Sequence, residues 1–158
     1  MDVREQKRLL LLTAGHAGGR LERLAQAVAE GIAEFADEVE LRQHAALAAG
    51  VDELRWAQAV LLGTPEKFGY MAGALKDFFD RTFYPTEGAL AGLPYALFVS
   101  AGNDGTGAVS SVERIVLGYR WNRIAEPVVV VGPPDEAALT RCRELGQTLA
   151  AGLALGIF

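Results

Sequence analysis

Three short segments of this chain carry the residue types that bind anions. They are Thr13-Ala14-Gly15-His16-Ala17-Gly18-Gly19-Arg20, Gly63 through Met71, and Ser100-Ala101-Gly102-Asn103-Asp104-Gly105-Thr106-Gly107. Each follows an apolar run and leads into a helical pattern. Glycine lets backbone N–H groups come close to a ligand, and a helix N-terminus favours negative charge. One such turn is weak evidence, because glycines also make ordinary strand-to-helix turns. Three at one rim point to a nucleotide-like ligand. Arg20 falls in the first turn of its helix, where a cation is unfavourable unless an anion is present, so it reads as a phosphate contact. His16 reads as a phosphate donor or as an exposed loop histidine. Glu66 reads as an acceptor for a ligand or as a solvated carboxylate. Asp104, directly before Gly105, reads first as turn chemistry.

Several other chemistries are missing from the sequence. Gly15, Gly18 and Gly19 do not fit the G-x-G-x-x-G of a dinucleotide fold, and no G-x-x-x-x-G-K-[ST] occurs. Thr13 and Thr64 stand where a phosphoacceptor domain would place acids. No G-x-S-x-G nucleophile elbow occurs, and no Ser-His-Asp set is visible. The two histidines, His16 and His44, have no neighbouring Cys or His, so no metal site is expected. The single Cys142 lies inside a helical pattern and reads as a buried thiol. Trp56 and Trp121 read as packing residues.

The elements that must position these loops alternate along the chain. Leu9-Leu12, Ala59-Leu62, Pro94-Ser100 and Pro127-Val131 are apolar runs of strand length, and Glu38-Arg42 is a more polar one. Helical patterns cover Leu21-Phe35, Val51-Ala57, Tyr70-Phe83, Val109-Tyr119 and Asp135-Leu153. Asp135 is placed as the N-cap of the last helix, after Pro133 and Pro134. Five strands alternating with helices predict a three-layer, doubly wound α/β fold around a parallel five-stranded sheet. Continuously apolar strands suit the centre and the polar second strand suits an edge.

With 158 residues, the simplest reading is one domain, residues 1–158, large enough to bury a real core. The net charge of -5 argues against nucleic acid or an anionic membrane as the main partner. The charged start before Leu9 is not a signal peptide, and the apolar Leu149-Phe158 is too short to span a bilayer. A cytoplasmic protein is the expectation. Phe78 and Phe79 are adjacent and so point about 100° apart on a helix. Together with Tyr84 they suggest that one aromatic leaves the core to meet a partner subunit, giving a homo-oligomer.

The segment GTPEKFGYMAGALKDFFDRT, Gly63 to Thr82, closely resembles the flavodoxin-like NAD(P)H-dependent flavin and quinone oxidoreductases. The resemblance covers most of the chain. The stretch from Tyr84-Pro85 to Gly92-Leu93-Pro94 also resembles the family's connection into its next strand. It implies the strand order 2-1-3-4-5, which the polar second strand fits, and a bound flavin mononucleotide (FMN). Carried over, the first loop (Gly15, His16, Gly18, Gly19, Arg20) would wrap the FMN phosphate. Thr64, Pro65, Glu66, Lys67, Phe68, Gly69 and Tyr70 would contact the ring, with Lys67 and Phe68 backbone groups as donors and Phe68 or Tyr70 packed on it. Ser100, Ala101, Gly102, Asn103 and Gly105 would line its edge.

The first loop departs from the family pattern. Aligned on Gly19, the usual Ser and Thr hydroxyl positions hold His16, Gly18 and Leu21. Each lost hydroxyl forfeits roughly 1 kcal/mol of charge-assisted bonding, which a bidentate Arg20 would restore. The activity implied is reduction of flavin, quinone or a similar small acceptor by NAD(P)H. The flavin would carry that chemistry, so no side-chain acid or base is required and no catalytic residue is assigned. A flavodoxin-type electron carrier, and a flavin-free interaction module on the same fold, stay open at this point.

Overall fold

The structure is a computed structural model that describes residues 4–158. The main strands are β1 (Lys7–Thr13), β2 (Val39–Ala45), β3 (Ala59–Lys67), β5 (Pro94–Ala101) and β7 (Val128–Val131). Two short strands join them, β4 (Tyr70–Met71) and β6 (Asn122–Arg123). The helices are α1 (Arg20–Ala33), α2 (Val51–Trp56), α3 (Gly73–Thr86), α4 (Thr106–Tyr119) and α5 (Glu136–Ala154). The sheet runs β2-β1-β3-β5, and β5 then pairs with β6 along its first half and β7 along its second. All of these pairings are parallel. Counting the main strands alone, the order is the expected 2-1-3-4-5.

Residues alternate faces along a strand, and both faces of this sheet are covered. Leu9, Leu11, Leu61 and Phe98 point to the side roofed by α1 and α5. Leu10, Leu12, Leu62 and Leu97 point to the side roofed by α2, α3 and α4. That is why these strands read as unbroken apolar runs. In α1 the buried residues Leu21, Leu24, Ala25, Val28 and Ile32 follow the helical period. Helix α1 meets α5 at near backbone contact: a Cβ on Gly146 would lie 2.1 Å from the Val28 carbonyl oxygen. Asp135 caps α5 as expected, accepting the Ala138 N–H at 2.8 Å.

The largest departure concerns the third strand. It does not end at Leu62 but continues to Lys67, and the helix begins at Gly73 instead of Tyr70. Between them Lys67 pairs with Tyr70 and Glu66 with Met71, forming an antiparallel hairpin. Its two turn residues, Phe68 (φ 51°) and Gly69 (φ 68°), both have positive φ. That combination defines a turn of the type I′ class, whose twist suits a tight hairpin. At its other end α3 runs through Pro85 to Thr86, past the expected stop at Phe83.

Neither Phe78 nor Phe79 leaves the core, contrary to expectation; both are buried. Phe79 packs against Tyr119 and Trp121, with ring centroids 5.6 and 6.1 Å away. The flank of α3 that would have been open is closed by this aromatic cluster. Tyr84 is exposed. Cys142 is buried, and its burial pushes the thiol up to about 11. Among the described residues, no helix is long and apolar enough to cross a membrane.

Candidate functional site

The carboxyl ends of β1, β3 and β5 meet at one rim, and a cavity of about 380 Å³ opens there. The first loop contributes Gly15, His16, Gly18, Gly19 and Arg20 to its wall, with Leu21 from α1. The end of β3 contributes Pro65, Glu66 and Lys67, and β5 contributes Ser100. Residues spread between positions 15 and 100 of the chain are thus brought to one place by parallel pairing. A second hollow of about 360 Å³ lies against Thr13, Ala17, Glu22 and Gln43 and shares Gly15, His16 and Leu21.

The first loop is tied at its base by the Ala14 N–H, which donates to the Gly63 carbonyl at 3.0 Å. The Gly19 N–H turns back to the His16 carbonyl at 3.2 Å, and Gly18 sits at φ 77°. The Gly18 N–H donates to the Glu22 carboxylate. Gly19 caps α1 with no side-chain hydrogen bond, so the helix presents its first-turn donors at the cavity. The His16 ring lies back over this point: Cε1 and Nε2 are 3.1 Å from where a Cβ on Gly19 would be. Arg20 is exposed, and among the described residues neither it nor Lys67 forms an ion pair.

The hairpin that forms the second wall is clamped from behind. The buried Thr64 hydroxyl accepts the Ala72 N–H at 3.0 Å and donates to the Pro65 carbonyl at 2.9 Å. Its side chain therefore holds the hairpin and does not face the cavity. The Met71 N–H donates to the Ser111 hydroxyl of α4 at 3.0 Å. Gly107 sits so close that a Cβ there would lie 1.9 Å from the Gly69 carbonyl oxygen. Phe68 stands fully exposed at the tip, in a left-handed conformation rare for a bulky residue, and Tyr70 beside it is 41% exposed.

In the third loop only Ser100 reaches the cavity wall. Ala101 is buried, and Gly102 and Asn103 are exposed above the rim. Asp104 accepts both the N–H and the hydroxyl of Thr106, at 3.0 and 2.9 Å. Those bonds hold its carboxyl below the usual range, so turn chemistry accounts for it. Gly105 (φ 74°) has no room for a side chain: a Cβ would lie 2.5 Å from Val129. Ser111 was not expected among the site's residues, and neither Gly107 nor Leu21 was assigned a contact of its own. Ser111 had one sequence signal, a polar residue on an otherwise apolar helix face beside Ala108 and Val112.

A Cβ on Gly18, Gly69 or Gly102 would meet nothing within 4 Å, so the rim is open at these points. The uncapped helix terminus and Arg20 supply donors and charge for an anionic end. The donor set fits a phosphate-bearing group, although the first loop supplies no hydroxyl from His16 to Leu21.

The fold is flavodoxin-like. Solved structures similar to it include a flavodoxin from the domain Archaea, with a TM-score of 0.80 and 20% identity over 92% of this chain and 98% of that one. Oxidised flavodoxin 1 from Bacillus cereus is similar at a TM-score of 0.78 and 18% identity, over 93% and 99% of the two chains. A family model described as NADPH-dependent FMN reductase matches residues 8–133. The chain belongs to that family. Its relatives include a protein of Syntrophus aciditrophicus (strain SB) named NAD(P)H dehydrogenase (quinone), 31% identical over 87% of this chain and 81% of its own. A protein of the same name in Geobacter sulfurreducens (strain ATCC 51573 / DSM 12127 / PCA) is 30% identical, over 80% and 73%.

Proposed function

We propose that the chain binds FMN at this rim and is an NAD(P)H-dependent oxidoreductase that reduces a quinone or a similar small acceptor. The observation that carries the reading is the convergence of the first and second loops and the start of the third on one cavity, beside the uncapped N-terminus of α1. Family membership and the names of the relatives agree with it. When bound, FMN supplies hydride acceptance and onward electron transfer, and the protein binds, orients and tunes it.

Gly15 to Arg20 would hold the phosphate, through backbone N–H groups, the dipole of α1 and the Arg20 guanidinium. The Pro65 to Tyr70 hairpin and the Ser100 to Asn103 turn would hold the ring between them. Backbone N–H groups of Lys67 and Phe68 would donate to its polar edge, and Phe68 would cover a face. Leu21 and Pro65 line the cavity with apolar surface and would keep water from part of the bound cofactor.

The test is a titration of purified protein with FMN, read by flavin fluorescence quenching, followed by NADH and NADPH oxidation with a benzoquinone acceptor. Saturable binding and acceptor-dependent oxidation are expected. Binding without direct oxidation would leave an electron carrier, and no binding at high micromolar FMN would overturn the reading.

A further inference from the structure

A separate cavity of about 600 Å³ opens beside α4, where β5 begins and pairs with β6. Its Tyr95 stands at the amino end of β5, and the rim residue Ser100 near the carboxyl end, about 16 Å along the strand. We propose that this cavity is a second ligand site, and that it takes a small aromatic carboxylate. The inference does not depend on the FMN reading of the rim.

Two polar groups here lack partners. A buried Tyr or Trp ordinarily finds one for its O–H or N–H. Tyr119, in the same aromatic cluster, does so: its hydroxyl donates to the Phe79 carbonyl at 2.7 Å. Tyr95 is only 3% exposed, yet among the described residues its hydroxyl has no hydrogen-bond partner. The oxygen is not sealed in the interior, so it opens on the cavity that Tyr95 lines. Trp121 lines the cavity too, its ring centroid 6.0 Å from that of Tyr95. Its indole N–H is the one fully buried side-chain polar atom among the described residues that is without a partner. Leaving buried polar atoms unsatisfied is costly. An acceptor on a ligand would satisfy the Tyr95 hydroxyl.

The other side chains define the chemistry of that ligand. Burial, with Glu113 adding to it and Arg123 opposing it, raises the Tyr95 hydroxyl from its ordinary value, so it stays a neutral donor. Trp121, Val116 and the exposed Leu117 form an apolar wall that suits a flat ring. Arg123 is committed to Glu113 at 2.8 Å and to Glu126 at 3.4 Å. Arg114 lines the same cavity, is exposed, and has no ion-pair partner among the described residues. The uncommitted charge is therefore positive, and a carboxylate on the ring matches the planar guanidinium.

The experiment titrates the full chain with naphthoate by isothermal calorimetry, and with the uncharged naphthamide beside it. Saturable naphthoate binding is expected, with naphthamide about tenfold weaker, one charge-assisted contact's worth. Arg114→Ala should bring naphthoate down to the level of naphthamide. Tyr95→Phe should weaken both by about fivefold. Arg20→Ala, at the other cavity, should change neither. Because the Tyr95 hydroxyl has no partner, Tyr95→Phe should keep or raise the Tm, so that its loss of binding is not a loss of folding. No naphthoate binding up to about 5 mM would overturn the inference. So would binding that Arg20→Ala weakens, or binding that Arg114→Ala and Tyr95→Phe leave unchanged. A lower Tm for Tyr95→Phe would also overturn it, by showing that the hydroxyl is bonded within the protein.

Discussion

Arg20 occupies the first position of α1, exposed and, among the described residues, without a carboxylate partner. A cation at a helix N-terminus is opposed by the macrodipole, so its position makes sense when an anion sits between the two. Arg20→Ala should weaken FMN binding by about tenfold while leaving riboflavin binding unchanged. It should also flatten the salt dependence of FMN binding. Parallel titrations with the two flavins at low and high salt check this, and an equal loss for both would show that the residue acts on the fold and not on the phosphate. Arg20 was legible in the sequence because its position against a predicted helix start was anomalous. Thr64 was less legible. It lies within the segment that carries the family resemblance, but its hydroxyl serves Ala72 eight residues on, a bond visible only once the hairpin is formed.

At the scale of elements, the β3–β4 hairpin is what sequence periodicity could not supply. Thr64-Pro65-Glu66 looks like a turn because proline cannot donate to a ladder. The strand nevertheless continues, because β1 stops pairing with β3 at Thr13 and Gly63 while β5 goes on to Pro65 and Ser100. Beyond Gly63 the strand has lost its β1 neighbour, and proline is tolerated on such an edge. The apolar central strands and the α1 period were legible because burial on both faces, or on one stripe, writes itself into composition. The hairpin is held by contacts with α4, 40 residues away between Met71 and Ser111, and no local pattern encodes those. Gly107→Ala tests whether that clamp matters to the site. Its Cβ would overlap the Gly69 carbonyl, so the hairpin must lift from α4. Because the hairpin is the part of the site proposed to hold the ring, FMN and riboflavin affinities should fall together, by about tenfold or more. Loss for FMN alone would contradict that division of labour.

The molecule as a whole couples the rim to its stability. The inner strands β1, β3 and β5 send alternate residues into both apolar layers, so neither layer can come apart without disturbing the sheet. The cavity is built from the ends of those same strands and the start of α1. A ligand bound there holds together elements from across the sheet, and binding to the folded state alone raises stability by mass action. At a free FMN concentration one hundred times Kd the gain is about 2.7 kcal/mol. For a chain of this size that corresponds to a rise in Tm of roughly 5–11 °C. Thermal unfolding followed by far-ultraviolet circular dichroism should show one transition that moves by this amount. At the same FMN concentration, Arg20→Ala should recover only about half of the rise, since a tenfold weaker Kd removes about 1.4 kcal/mol. An FMN-independent Tm would mean that the rim does not bind the cofactor in the folded state. A full rise in the Arg20 variant would mean that the phosphate is anchored without it.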